Sequence, residues 1–283
     1  MGRAYLDGST GEMGAARMTA YYNEHDPYAA QWLRNLVSAG LIAAGEVDDR
    51  DIQEVRPDDT AGFTQCHFFA GIAGWSLALR LAGWPDDRPV WTGSCPCQPF
   101  SAAGKGEAFE DDRHLWPVWF GLIRAVRPAV LFGEQVDDAI GWGWLDLVHD
   151  DMEAEGYAVR SAVLPACGVG APHLRDRLWF VGITDRAGLL ARNEAGAAVG
   201  YGRAAVAAGD AGGDAGTYDS IRNPWSDLEW LPCTDGKARP TRPGLFPLAH
   251  GVSARVGKLR AAGNAIVPQI AAEFIRAAMG CSP

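Results

Sequence analysis

Cys97 lies in Gly93-Ser-Cys-Pro-Cys-Gln-Pro-Phe-Ser101, with Pro96 and Pro99 close on either side. Each proline fixes its own φ and drives the residue before it out of the helical region, so a stiff, non-helical loop is expected here, at the end of an apolar strand over 89–94. A thiol held on such a loop needs little further ordering to act as a nucleophile. The loop alone leaves a buried structural thiol open as the alternative. Glu134 follows the apolar run 128–132. A carboxyl there serves as an acid if burial raises its pKa, and is a solvated strand-end charge if it does not. Arg175 and Arg177, two apart on an expected extended segment, point to one face and can fork onto a carbonyl or a phosphate; a salt bridge is the alternative. Cys95 and Cys97 have the wrong spacing for zinc and no second pair follows them, so no metal is expected.

The elements that must position these groups alternate between strand and helix. A strand over 18–22 runs into a helix with Asp26 as N-cap and Pro27 at its first position. Residues 64–70 read as a strand, followed by a glycine turn through Phe69, Ala70, Gly71, Ile72 and Gly74 into a short helix that Gly83 and Pro85 stop. Such a strand, turn and helix bring backbone N–H groups close to a cofactor, or form a tight packing turn. Helices are expected over 114–126, 142–155 and 265–279, and strands over 128–132, 157–164 and 178–183. This order predicts an α/β fold, a Rossmann-like, mainly parallel sheet with helices on both faces. Its ligand site should lie beyond the carboxyl ends of the strands, where one cleft can collect the glycine turn, Cys97 and Glu134. Residues 1–17 read as a loose leading segment and 18–184 as the catalytic domain. Residues 185–250, rich in Gly and Ala over 187–217, read as a small loop-rich insertion, and 251–283 as a helix returning to the main domain.

The 283 residues are 48% hydrophobic and 21% charged, ordinary for a globular chain. No apolar stretch reaches membrane-spanning length, no secretory leader is visible, and six cysteines without repeating spacing suit a reducing, cytoplasmic setting. A monomer without membrane attachment is expected. The formal net charge of −10 is unusual for a chain that binds nucleic acid, so any such binding should be weak away from its target and sensitive to salt.

Five short motifs spread over residues 69–268 carry a joint signal: Phe69-Ala-Gly-Ile-Ala-Gly74, Pro96-Cys-Gln98, Gly133-Glu-Gln-Val136, Arg175-Asp-Arg177 and Gly263-Asn-Ala-Ile-Val-Pro268. Together they resemble the DNA (cytosine-5) methyltransferases. The resemblance implies a Rossmann-like catalytic domain, S-adenosylmethionine as donor, DNA as partner, a small target-recognition region at 185–250, and a bacterial or phage-infected cytoplasm as the setting. It assigns Cys97 as the nucleophile that adds to C6 of a flipped-out cytosine, Glu134 as the acid at the ring edge, and Arg175, with Arg177 beside it, as the contact to the base. Gly71 falls in the cofactor loop and Asn264 in the C-terminal motif. Other readings are the same cytosine chemistry with a folate one-carbon donor leaving a hydroxymethyl group, an RNA substrate, and a catalytically idle DNA-binding relative.

The sequence departs from the family pattern at His67 (Asp is usual), Ala73 (Gly), Gln135 (Asn) and His173 (Gln). Motif order departs further. The family's Asn-Glu strand end and Asp-Ile segment follow its glycine loop, whereas here Asn23-Glu24-His25-Asp26 and Asp51-Ile52 precede it. The chain reads as a permuted member, with Glu24, His25, Asp51 and Ile52 added to the cofactor site and Glu24 as the ribose ligand. Strand 18–22 should then lie beside strand 64–70, away from strand 89–94. Right-handed crossover from strand 64–70 to strand 89–94 should put the helix after Gly74 on the sheet face opposite to that of a helix leading back toward strand 18–22.

Overall fold

A computed structural model describes residues 19–96, 115–184, 229–232, 236, 238–241 and 261–280. Cys97 lies outside the described residues, as does most of the 185–250 segment.

Among the described residues seven strands form one sheet: β1 (Ala20–Asn23), β2 (Gly45–Asp48), β3 (Gln65–Phe68), β4 (Val90–Gly93), β5 (Val130–Val136), β6 (Ala158–Leu164) and β7 (Arg177–Ile183), in the spatial order β2-β1-β3-β4-β5-β7-β6. The first five are mutually parallel, and β7 runs antiparallel between β5 and β6. The fold is Rossmann-like. As expected from the sequence, β1 pairs with β3 on the side away from β4. Helix α1 (Pro27–Ser38) starts where its sequence dictates: the Asp26 side chain accepts from the N–H groups of Tyr28 and Ala29, and Pro27 needs no N–H at the first position.

In-register residues share a face. Tyr22, His67, Thr92 and Phe132 line one side of the sheet, and Tyr21, Cys66, Trp91 and Leu131 the other. On the first side, Leu33 of α1 packs with Tyr22. Helix α2 (Gly74–Ala82) sets Ser76 Oγ 3.1 Å from the Tyr22 hydroxyl and stacks Trp75 near Phe132. The C-terminal helix covers α2 on that same side, burying Ile270, Ala271 and Ile275. The other side carries α3 (Trp116–Val126), the short α4 (Asp138–Gly141) and α5 (Trp144–Ala154), whose Trp116, Trp119 and Trp144 surround Phe68 and Phe180. Past the main sheet, β8 (Glu229–Pro232) and β9 (Ala238–Thr241) form an antiparallel pair, and the C-terminal helix, α6, spans Pro268–Gly280.

The expected placement of α2 is overturned. From β1 to β2 the chain steps one way across the sheet with α1 on the Tyr22 face. From β4 to β5 it steps the other way with α3 on the opposite face, which is the same hand. From β3 to β4 it steps in that second direction but carries α2 on the Tyr22 face, so this crossover has the opposite hand. Right-handed crossovers are about 98% of parallel connections, which makes β3–α2–β4 the left-handed one. Burial explains the placement. Trp75, Ala78 and Leu79 meet Phe132, Trp179 and α6 on the Tyr22 face, while Trp119 already fills the opposite face beneath β4.

Two further expectations change. Glu134 does not follow its strand: antiparallel pairing with β7 extends β5 to Val136 and sets Glu134 opposite Trp179. The expected helix over 142–155 starts only after Gly143, at φ 76°, as α5, and the short helix α4 precedes it.

Candidate active site

A cleft of about 670 Å³ opens at the carboxyl ends of the parallel strands. It is lined by Asn23, Glu24, His25 and Asp26 after β1, by Asp51 and Ile52 after β2, and by Phe69 and Gly71 after β3. Ser94, Cys95 and Pro96 line it after β4, Glu134 and Gln135 come from β5, and Arg175, Arg177, Gly263 and Asn264 close the far side. Of the expected site residues, Glu24, His25, Asp51, Ile52, Phe69, Gly71, Glu134, Arg175, Arg177 and Asn264 therefore meet around one cavity. Ala70 and Ile72 do not line it. Ala70 is buried, with its N–H donated to Asn23 O at 3.0 Å, so it braces β1 instead. Cys97 lies outside the described residues; its neighbour Pro96 stands on the cleft wall.

One end of the cleft is built by the glycine turn. Phe69, Gly71 and Ala73 all have positive φ, at 51°, 55° and 69°. Only glycine takes that region without strain, so Ala73, where the family has glycine, costs roughly 1 kcal/mol. The turn aims the Gly71 N–H at Glu24, whose Oε2 accepts it at 2.7 Å while Oε1 accepts from the Asp26 N–H at 2.8 Å. Burial pushes the Glu24 carboxyl above its ordinary pKa, against the two N–H groups that favour its charge. Asp51 Oδ1 accepts from the Gln53 N–H at 2.9 Å and so starts the turn that seats buried Ile52.

The other end is built around Glu134. Its side chain is buried, with Arg177 Nε 3.0 Å from Oε1. Burial raises its pKa, opposed by Arg177, by a hydrogen bond from Ser94 and by Arg175. Arg175 is not extended as expected but sits at φ 44°. That bend lets Nη2 donate to Gly263 O and Ala265 O, both at 2.9 Å, anchoring the segment before α6. Burial, then repulsion from Arg177, lowers its pKa. The arginines thus divide their work: Arg177 pairs with Glu134 and Arg175 holds the C-terminal segment at the cleft rim.

Ser94, Cys95 and Gln135 are cleft residues that sequence reasoning did not single out as functional. Gln135 is 2% exposed and its Nε2 has no partner, an unspent donor in the cleft wall. The signal available was the departure from the family's asparagine. Among the described residues no cluster of His, Cys, Asp or Glu fits a metal ion, and no helix is long and apolar enough to cross a membrane.

Residues 82–195 match the C-5 cytosine-specific DNA methylases. The Type II methyltransferase M.HgiCII of Herpetosiphon aurantiacus is 30% identical over 162 residues, covering 43% of this chain and 37% of the relative. M.HaeII of Haemophilus aegyptius is 30% identical over 165 residues, covering 56% of this chain and 43% of the relative. M.HhaI of Haemophilus parahaemolyticus is 32% identical over 169 residues, covering 45% of this chain and 51% of the relative. The chain spans about half the length of these relatives, or less. Over residues 82–195 the chain is thus similar to the C-5 cytosine-specific DNA methylases.

Proposed function

We propose that the chain transfers a methyl group from S-adenosylmethionine to C5 of a flipped-out cytosine in DNA, with Cys97 as nucleophile. The observation that carries this reading is the buried Glu134–Arg177 pair with Arg175, gathered beside Pro96 in the matched region. C5 of cytosine is a poor nucleophile until a thiolate adds to C6 and converts the ring to an enamine. Glu134, its proton affinity raised by burial, donates to N3 as that addition proceeds. Arg177 holds the carboxyl in place, and the guanidinium groups supply donors for the base carbonyl. Once C5 has taken the methyl group, its proton passes to water, the Cys97 thiolate is eliminated and the N3 proton returns to Glu134. A cytosine in duplex DNA reaches this depth by flipping out of the stack.

The residues at the other end fit the donor. The Glu24 carboxylate keeps lone pairs for ribose hydroxyls beyond the two N–H groups it accepts, and Phe69, Gly71, Asp51 and Ile52 supply the turn and the apolar wall. When bound, S-adenosylmethionine supplies an electrophilic methyl carbon. The contact between Glu24 and Gly71 favours this donor over a folate. It also favours a permuted motif order, in which β1 and β2 stand where the family's second and third strands stand. The left-handed β3–α2–β4 crossover supports the same reading, because α2 occupies the face that a right-handed connection from β3 to β1 would give it. On this reading 18–184 and the α6 segment form the catalytic domain and 185–250 reads the target.

Mass analysis of nucleosides from DNA incubated with the protein and each donor tests this. 5-Methylcytosine formed only with S-adenosylmethionine is the expected product. A hydroxymethyl product with a folate, or unmodified DNA with either donor, contradicts it.

A further inference from the structure

Arginine alone does not fix the Glu134 carboxyl, because the terminal torsion of a glutamate is broad and roughly two-fold. A second anchor is present. The indole N–H of Trp75 donates to Ser94 Oγ at 3.0 Å. An indole nitrogen only donates, so the serine oxygen is the acceptor on that side, and its own proton is free to point at Glu134, which follows Gly133 as Ser94 follows its in-register partner Gly93 and lines the same cleft. Trp75 cannot easily turn away: it is 3% exposed and packed edge-on to Trp179, with ring centroids 5.5 Å apart. It is also the second residue of α2, directly downstream of the turn whose Gly71 N–H meets Glu24. The stretch 71–75 thus joins both ends of the cleft.

We propose that Ser94 is a positioning residue: its hydroxyl, oriented by the indole of Trp75, holds the Glu134 carboxyl in register with the cleft and ties it to the helix that begins at the glycine turn. The inference deepens the methyl-transfer reading and rests on it for the role of Glu134. A donor to the carboxylate favours its charged form, so losing Ser94 leaves burial less opposed and the carboxyl harder to ionise.

The test titrates Glu134 itself. Protein labelled with ¹³C at glutamate Cδ is followed by NMR over pH without DNA or donor, the Glu134 signal being the one that Glu134→Gln removes. Ser94→Ala should shift the midpoint upward, and Ser94→Thr, which keeps the hydroxyl, should restore it. Trp75→Phe should also shift it upward, by less, since the serine proton is then free to turn elsewhere. Methyl transfer is read in parallel. Ser94→Ala should lower kcat about tenfold, the weight of one hydrogen bond to a charged group, with little change in KM for DNA. The alkaline limb of its rate profile should move to higher pH. A midpoint unmoved or lowered in Ser94→Ala overturns the proposal, as does a lowered kcat with an unmoved alkaline limb. An unmoved midpoint in Trp75→Phe overturns the part given to the indole. If wild-type protein transfers no methyl group, the function reading fails while the titration still decides whether Ser94 holds Glu134.

Discussion

His67 stands where the family has an aspartate, and its surroundings suit a neutral ring. It is buried, stacked on Tyr22 at 4.9 Å, with Nδ1 2.7 Å from Thr92 Oγ1 and Nε2 without a partner. Burial lowers its pKa from 6.5 to about 3. The sign follows from proton binding. Between those two values the unfolded chain takes up the proton and the folded chain does not, so stability present above pH 6.5 is lost as pH falls. Urea denaturation of His67→Gln should therefore show a smaller loss than wild type between about pH 7.5 and about pH 5, by at most about 1.4 kcal/mol per pH unit. Parallel losses in the two proteins would remove His67 from the acid response. For Glu134 the prediction is kinetic. Glu134→Gln should bind DNA as wild type does and turn over ~10²–10⁴-fold more slowly, the usual weight of a positioned acid. Its residual rate should lack the decline that the wild-type rate shows as the carboxyl ionises with rising pH. An equal rate at neutral pH would leave Glu134 as a structural charge. Glu134, Arg175, Arg177 and Glu24 were legible as candidates because charged side chains in short motifs carry a signal of their own. Ser94 and Trp75 were not. A serine and a core tryptophan acquire their role only when α2 is laid against the end of β4.

Elements were legible where local chemistry closes them, as at Asp26 and Pro27 before α1. They were misread where a neighbour in space decides. β5 runs on to Val136 only because β7 supplies an antiparallel ladder. That ladder also fixes a glycine. A Cβ at Gly133 would meet Phe180 Cζ at 1.9 Å, so the aromatic ring occupies the space that a side chain would need. Gly133→Ala should cost about 1–3 kcal/mol by denaturant unfolding, the usual penalty for overpacking a core. An unchanged midpoint would mean that Phe180 moves aside freely. The pairing of β1 with β3 carries the donor prediction. Glu24→Ala should weaken S-adenosylmethionine binding by roughly 1–3 kcal/mol, the cost of leaving buried polar groups unpaired, and leave DNA affinity nearly intact. Calorimetric titration of donor and DNA in turn reads both, and undiminished donor binding would take Glu24 out of the cofactor site.

At the scale of the whole molecule, the crossover expectation failed for an instructive reason. Right-handedness is a strong rule for a chain that folds back on its own sheet, but here it yields to the need of Trp75 and Leu79 for the Phe132 face. The sheet order that places Glu24 beside Gly71 stays compatible with a cofactor site, while the chain reaches that order by an uncommon path. The net charge of −10 leaves little non-specific attraction to a phosphate backbone, which puts more weight on contacts made inside the cleft. The central claim is that those contacts end in a bond between Cys97 and cytosine. Covalent capture on DNA carrying 5-fluorocytosine, read by intact mass with S-adenosylmethionine present, tests it most directly, because the fluorine at C5 blocks the elimination that would release the enzyme. Wild type and Cys95→Ala should both form the adduct, and Cys97→Ala should form none. An adduct with Cys97→Ala and none with Cys95→Ala would contradict the account.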